Sequence, residues 1–154
     1  MLSTGDVAPD LTLPNHAGDQ VSLADLRGGW VLLYWYPKAD TPGCTTQARS
    51  LREQQDAFDE VGCTVLGASF DTVDELAAFR AKYGLTFDLL SDTSHDAGRT
   101  FGVAGPEGEG GYADRVAYLI GPDGAVAERY EVTDPEFFAE QVLDDLDTLA
   151  AGAP

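Results

Sequence analysis

The fold is decided by residues 30–48, WVLLYWYPKADTPGCTTQA. The run 30–36 is bulky, β-branched or aromatic and does not alternate with polar residues, which predicts a strand buried on both faces of a sheet. Pro37 ends this strand. After the Pro/Gly turn that follows, apolar residues recur at helical spacing as far as about residue 60. We therefore expect one helix over 44–60, with Cys44 in its first turn.

The place of Cys44 has chemical consequences. Unpaired N–H groups and the positive end of the helix dipole favour an anion at the first turn of a helix, and a thiolate is an anion. A cysteine in this position is therefore nucleophilic at neutral pH. Thr41, three positions upstream, can turn its hydroxyl toward the same point, and Pro37 and Pro42 stiffen the loop. We expect a loop thiol that is exposed, contributes little to packing and attacks a small oxidant.

A buried structural cysteine is the alternative interpretation of Cys44, because free cysteine is among the most buried residue types. For a cysteine without further context, this alternative would be preferred. Here Pro37, Thr41 and the start of a helix surround the residue, and that context favours a reactive thiol.

The same residues resemble a known active site. The pattern Pro37-x-x-x-Thr41-x-x-Cys44 is similar to the active-site motif of peroxiredoxins, and the longer string YPKADTPGCTTQA resembles their bacterioferritin-comigratory, or Q-type, subfamily. Similar strings extend over nearly the whole chain, at 5–28 (GDVAPDLTLPNHAGDQVSLADLRG), 65–71 (VLGASFD), 89–92 (LLSD) and 114–126 (DRVAYLIGPDGAV). As a signal, this motif is far more specific than a lone cysteine.

The resemblance implies a thiol-dependent peroxidase that reduces hydrogen peroxide and organic hydroperoxides without a cofactor. The thiolate of Cys44 would attack the peroxide and become a sulfenic acid. Arg115 matches the active-site arginine of the family and, as a fixed cation, would hold the thiolate and polarise the peroxide. Thr41 and the backbone amides of Gly43 and Cys44 would bind the peroxide oxygens, and Pro37 completes the expected catalytic set. The alternative for Arg115 is a surface salt bridge, and the alternative for Thr41 is a plain helix cap.

The chain departs from the family where the sulfenic acid is usually resolved. Many members of the subfamily carry a second cysteine five positions after the first, and Arg49 stands there in this chain. The other cysteine, Cys63, lies beyond the predicted helix, whose length puts it on the order of 25 Å from Cys44. A disulfide needs Cα atoms within about 7 Å. We therefore predict an inert strand cysteine at 63 and a 1-Cys mechanism, in which thioredoxin or another small thiol reduces Cys44 directly.

The charge balance argues against several partners. With 27 acidic and 9 basic residues, the net charge of −18 repels nucleic acid and anionic membrane surfaces. This acidity suits either a well-solvated surface or a host with a salty cytoplasm. No run is long enough to span a membrane, the N-terminus lacks the features of a secretory signal, and two cysteines fit a reducing cytoplasm. His16 and His95 lie in separate turns without ligand spacing, so we expect no metal site.

The rest of the chain predicts a single α/β domain over 1–154, a thioredoxin-like fold with an extra N-terminal β-hairpin. The expected elements after the hairpin are strands at 63–69, 87–90, 115–120 and 126–130 and helices at 73–83, 96–101 and 135–149. Thr72 and Gly84 are expected to cap the helix between them. Phe137 and Phe138 are expected to face inward on the last helix. The glycine-rich stretch 105–111 lacks the ending of a phosphate loop and is predicted to be a mobile connection.

Two other functions remain possible from the sequence. A thiol–disulfide exchange enzyme would carry the first cysteine of a Cys-x-x-Cys pattern where Thr41 stands, so this function is disfavoured. A thioredoxin-fold holdase or binding module would consume no peroxide. The chain also lacks the family's C-terminal resolving cysteine and extension, and we therefore expect a monomer.

Overall fold

The computed structural model describes residues 2–104 and 112–151, so the predicted connection 105–111 lies outside the described residues. A hairpin comes first, with β1 at Thr12–Pro14 antiparallel to β2 at Gln20–Ser22. The later elements are, in chain order, a 3-10 helix Leu23–Leu26, β3 Trp30–Trp35, α1 Pro42–Glu53, α2 Gln55–Glu60, β4 Cys63–Ser69, α3 Val73–Tyr83, β5 Asp88–Ser91, α4 Asp96–Thr100, β6 Val116–Ile120, β7 Val126–Glu131 and α5 Phe138–Ala151.

Five strands form one mixed sheet in the order β5-β4-β3-β6-β7. The central strand β3 is parallel to β4 and antiparallel to β6. β4 and β5 are parallel because α3 crosses over between them, and β6 and β7 form an antiparallel hairpin. The N-terminal hairpin lies beside β5, where Asn15 bridges to Leu90. The predicted thioredoxin-like fold with an extra N-terminal hairpin is confirmed.

The central strand is buried on both faces, as its apolar run predicted. Side chains alternate across a strand, so Leu32 and Tyr34 pack in the layer that includes α1, α3 and α5, while Leu33 and Trp35 pack in the opposite layer. That opposite layer includes Leu11, just before the N-terminal hairpin. Because both faces of β3 are covered, its end is a firmly held base from which the chain turns into α1.

Several helix boundaries differ from the prediction, and two of the differences are large. The helix expected over 44–60 is broken at Gln54, whose N–H bonds to the carbonyl of Leu51 three residues earlier and tightens the last turn of α1. The closing helix begins at Phe138, so Phe137 lies just outside it and is 51% exposed instead of facing inward. Phe138 is buried as predicted.

Candidate active site

Two strands bring Arg115 to the start of α1. Arg115 directly precedes β6, and β6 runs antiparallel to β3 with Ala117 opposite Tyr34. Continuing this register by two residues puts Arg115 level with Tyr36, just past the end of β3. The sheet therefore carries this cation to the helical turn that contains Cys44.

Arg115 makes two side-chain contacts at this point. Its Nη2 lies 3.4 Å from the Sγ of Cys44, and its Nη1 donates to the Oε1 of Gln47 at 2.9 Å. Cys44 and Gln47 are three residues apart on α1 and therefore lie on the same side of the helix. Gln47 thus orients the guanidinium so that its second nitrogen faces the sulfur. A cation held in this way stabilises a thiolate by Coulomb attraction and by a charge-assisted hydrogen bond.

The expectation of an exposed Cys44 thiol is wrong. The residue is 1% exposed and belongs to the core layer between the sheet and α1. The reason is the start of the helix: α1 begins at Pro42, which already turns Cys44 toward the sheet in the first turn. The thiol therefore contributes to packing, as the structural alternative held, and it also contacts Arg115.

Two contributors to the site were missed in the sequence. Gln47 is fully buried, and a buried polar side chain needs a hydrogen-bond partner. The available signal was a polar residue three positions after Cys44, on the same side of the helix. Gly43 was expected only to supply a backbone amide. A Cβ at this position would lie 2.9 Å from Nη2 of Arg115, so glycine leaves the space that the guanidinium occupies.

Thr41 and Pro37 frame the turn before α1. Thr41 is the N-cap residue, but its side chain makes no capping bond, and its hydroxyl instead donates to the carbonyl of Lys38 at 2.7 Å. Because that proton is engaged, the hydroxyl oxygen is oriented to accept a hydrogen bond from a ligand. Pro37 comes two residues after the last residue of β3 and is partly buried.

Two tyrosines of the central strand lie in the same core layer as the thiol. Tyr34 and Tyr36 are fully buried, and burial is the main cause that raises the pKa of each phenol well above its usual value. Both rings therefore remain protonated and neutral at physiological pH. The Arg115 guanidinium thus faces the sulfur of Cys44 without a competing phenolate.

Cys63 lies far from this site. It is the first residue of β4, where the parallel pairing places it opposite Trp30 at the start of β3. Cys44 follows the other end of β3, and the rise from Trp30 to Trp35 alone is about 17 Å. Cys63 is buried, and burial raises the pKa of its thiol to about 12. Arg49, which occupies the position of the usual local resolver, is exposed on α1.

Within residues 2–104 and 112–151, no group of three or more His, Cys, Asp or Glu side chains could hold a metal ion. No helix in the same ranges is long and apolar enough to cross a membrane. The site is built from a thiol, a guanidinium, a hydroxyl and amides.

Comparison with known sequences places these residues in a family. Residues 4–129 match the AhpC/TSA family. The chain is 42% identical over 134 residues to peroxiredoxin Bcp of Escherichia coli K12, covering 84% of this chain and 86% of the relative. It is 40% identical over 152 residues to a putative peroxiredoxin Bcp of Haemophilus influenzae, covering 96% of this chain and 98% of the relative.

Solved structures agree with the sequence relatives. Peroxidoxin BcpB of Mycobacterium tuberculosis superposes with a TM-score of 0.91 at 30% identity, covering 97% of this chain and 99% of that one. The bacterioferritin comigratory protein of Xanthomonas campestris, solved in a study of its alkyl peroxide reduction activity, superposes with a TM-score of 0.86 at 32% identity over 97% and 98% of the two chains. The chain therefore belongs to the AhpC/TSA family and is a peroxiredoxin, an oxidoreductase of the peroxidase class.

Proposed function

We propose that this peroxiredoxin reduces hydrogen peroxide and organic hydroperoxides by a 1-Cys mechanism, with Cys44 as the nucleophile and an external thiol as the reductant. The observation that carries the proposal is the 3.4 Å contact between Nη2 of Arg115 and the sulfur of Cys44 in the first turn of α1. A cation and a helix N-terminus meet at one thiol, and both favour the thiolate. The alkyl peroxide reduction activity of the Xanthomonas campestris relative supports organic hydroperoxides as substrates.

In the first step, the thiolate attacks the terminal oxygen of the peroxide in line with the O–O bond. The S–O bond forms as the O–O bond breaks, Cys44 becomes a sulfenic acid, and the leaving alkoxide or hydroxide takes a proton from water. Arg115 stabilises the negative charge as it moves from sulfur to the leaving oxygen. The Thr41 hydroxyl accepts a hydrogen bond from the peroxide, while the N–H groups of Gly43 and Cys44, in the first turn, donate to its oxygens.

In the second step, an external thiolate attacks the sulfenic sulfur. This attack forms a mixed disulfide and releases hydroxide, which is protonated to water, and a second thiol then displaces Cys44 and leaves as the oxidised disulfide. Cys63 takes no part, because it lies at the opposite end of the sheet and its thiol stays protonated. Cys44 is buried, so a reductant larger than a peroxide reaches its sulfur only after the start of α1 moves.

Charge and composition suggest the setting of this reaction. The net charge of −18 disfavours nucleic acid and anionic membranes as partners. Two free cysteines fit a reducing cytoplasm, where thioredoxin or a small thiol is available. We propose a single-domain monomer, since the large apolar side chains exposed among the described residues are only Val7, Tyr112 and Phe137.

The test is intact-mass analysis after one equivalent of peroxide, with and without dimedone as a sulfenic-acid trap. We expect one oxygen added at Cys44, one dimedone adduct at the same residue, and full turnover when dithiothreitol is supplied. A holdase or binding module would consume no peroxide. A thiol–disulfide exchange enzyme would reduce insulin disulfides at a rate matching its thiol consumption. Loss of two hydrogens without added oxygen would instead show an intramolecular disulfide and overturn the 1-Cys mechanism.

A further inference from the structure

Only two of the 154 residues are lysines, Lys38 and Lys82, although the chain has 27 acidic residues. Both lysines form ion pairs that join α3 to the short segment 38–40, which precedes Thr41. Lys38 lies in the segment and binds Asp71 and Glu75, whereas Lys82 lies in α3 and binds Asp40. Both lysines of the chain thus lie at one place beside the active site.

The Lys38 contact is partly buried. Its Nζ lies 2.5 Å from Oδ1 of Asp71 and 2.6 Å from Oε2 of Glu75. The second oxygen of Asp71, a buried carboxylate, accepts the backbone N–H of Ala39 at 2.8 Å and the hydroxyl of Ser69 at 2.7 Å. One carboxylate therefore holds two consecutive residues of the segment, and Lys38 supplies its countercharge. The bond from Lys38 lowers the pKa of Glu75 to about 2, so this contact stays charged at neutral pH.

The Lys82 contact holds an unusual backbone conformation. Asp40 has φ of 62°, in the left-handed region that side chains other than those of glycine, asparagine and aspartate rarely adopt. Its carboxylate accepts from Nζ of Lys82 at 2.9 Å and from the hydroxyl of Tyr83 at 2.7 Å. These bonds fix Asp40 in that conformation, and Asp40 sets the direction in which the chain enters Thr41.

The two contacts lie at opposite ends of α3. Glu75 is in its first turn and Lys82 is in its last, and the helix is about 16 Å long. The three-residue segment is therefore tied along the length of the helix. Thr41, the next residue, accepts the first hydrogen bond of α1 from the N–H of Thr45 at 2.8 Å. A movement of the start of α1 that carried segment 38–40 with it would strain these contacts.

We propose that Lys38 and Lys82 are positioning residues that clasp segment 38–40 to α3 and so hold the start of α1 closed around Cys44 during attack on peroxide, against the opening that the reductant needs. The inference rests on the proposed 1-Cys function. A closed clasp keeps Cys44 beside Arg115, which the first step needs. The same closed state covers the sulfur of Cys44, so the reductant of the second step cannot reach it.

Weakening the clasp therefore has opposite effects on the two half-reactions. The Lys82 contact is the better target, because it is exposed and its loss leaves no buried charge unpaired. Lys82→Gln removes the ion pair, and Asp40→Asn removes it while keeping a residue that tolerates the left-handed conformation. Exposed ion pairs contribute modestly, so we expect oxidation by peroxide to slow and reduction by thiol to accelerate, each by about two- to fivefold.

The experiment measures both half-reactions in separate single turnovers. Reduced protein is mixed with peroxide, and protein holding the Cys44 sulfenic acid is mixed with dithiothreitol, each reaction being stopped at set times for mass analysis. Lys82→Arg should restore both rates. Arg99→Gln is the matched control, because it removes one charge from another exposed ion pair, with Asp96 on α4. Thermal unfolding confirms that each variant is folded, and either Lys82→Gln or Asp40→Asn suffices for the test.

Opposite changes in the two rates, absent from the Arg99→Gln control, would support the clasp. Equal changes in both rates, or changes no larger than those of the control, would overturn it. Failure of the proposed function has a different signature, since the wild-type protein would then form no sulfenic acid at Cys44 or would resolve it within its own chain.

Discussion

Cys44 and Cys63 are both free and both buried, with 1% and 3% of their surface exposed. Cys44 lies in the first turn of α1, with Nη2 of Arg115 at 3.4 Å from its sulfur. Cys63 starts a central strand, where its thiol is 3.9 Å from the carbonyl of Thr64, and burial raises its pKa to about 12. Burial is common to both residues, so the cation and the helix start are the features on which we base the proposal that Cys44 is reactive and Cys63 inert.

The comparison also explains why a core position would suit the thiol that we propose as the nucleophile. Low-dielectric surroundings disfavour a thiolate unless a specific partner compensates, and around Cys44 that partner is Arg115, held in turn by Gln47. The same surroundings strengthen the attraction between the two charges and exclude the bulk water that would screen it. Without such a partner, burial has the opposite effect, as Cys63 illustrates.

Replacing the Cys44 sulfur has the largest expected effect. Cys44→Ser should abolish peroxide turnover, because the hydroxyl does not ionise at neutral pH and is a poor nucleophile. The side chain is buried, so a modest stability loss of about 1–3 kcal/mol is also expected from the more polar group. Peroxide consumption and thermal unfolding would be measured together, with Cys44→Ala as the apolar control. Retention of about a tenth of the wild-type rate would contradict the assignment of the nucleophile.

The two thiols should differ sharply in alkylation. With a pKa of about 12, the Cys63 thiol is ionised to about one part in ten thousand at pH 8, and it also lies within the sheet. Iodoacetamide should therefore modify Cys44 in the native protein, whenever the start of α1 opens, and should modify Cys63 only after global unfolding, as peptide mapping would reveal. Equal labelling of both residues at pH 8 would argue against an inert Cys63.

The raised pKa of Cys63 also affects stability. Folding favours the protonated thiol, so its contribution to the free energy of unfolding is lost as pH rises from 9.0, the ordinary pKa of the thiol, toward 12.

Removing the cation should make Cys44 more like Cys63. Arg115→Ala is expected to slow oxidation by about a hundredfold or more, the usual cost of losing a group that stabilises transition-state charge. Alkylation of Cys44 should also slow, because the cation that forms a charge-assisted hydrogen bond with its sulfur is removed. Arg115→Lys keeps the positive charge but loses the paired nitrogens that reach Cys44 and Gln47 together, so its rates should be intermediate. Oxidation and alkylation rates equal to those of the wild type would refute this role.

The parts of the fold that follow from local chemistry could be predicted from the sequence. The buried strand ending before Pro37 follows from its apolar run, and the helix after Thr72 follows from a reciprocal capping box with Glu75 and from Gly84 in the left-handed conformation. The break at Gln54 has no such local signal in the sequence. The prediction of one helix over 44–60 was therefore wrong, although Cys63 is remote from Cys44 as expected.

The parts of the site that depend on strand register could not be derived from local patterns. Arg115 meets Gln47 across 68 positions of sequence, and nothing near either residue shows that β6 lies beside β3. Its position was expected from the resemblance to a family. The burial of Cys44 was missed although its place in the first turn of a helix was predicted, because the local pattern does not show that this turn packs against the sheet. The lysine contacts of segment 38–40 are also long-range, across 33 and 42 positions of sequence.

Replacing Cys63 should have the smallest effect, and it tests the mechanism most directly. Cys63 pairs with the start of β3, whereas Cys44 follows its end, so a disulfide would require α1 to unwind and β4 to leave the centre of the sheet. Opening on that scale costs an appreciable part of the roughly 5–15 kcal/mol that stabilises a domain, and it is slow beside attack by a small thiol. Cys63→Ser should therefore keep wild-type turnover with dithiothreitol, apart from a small loss of stability. The wild-type protein, treated with one equivalent of peroxide and mapped without reduction, should contain no peptide pair linking 44 to 63. A high yield of that pair within one chain would mean that the sheet opens during catalysis and that Cys63 resolves the sulfenic acid.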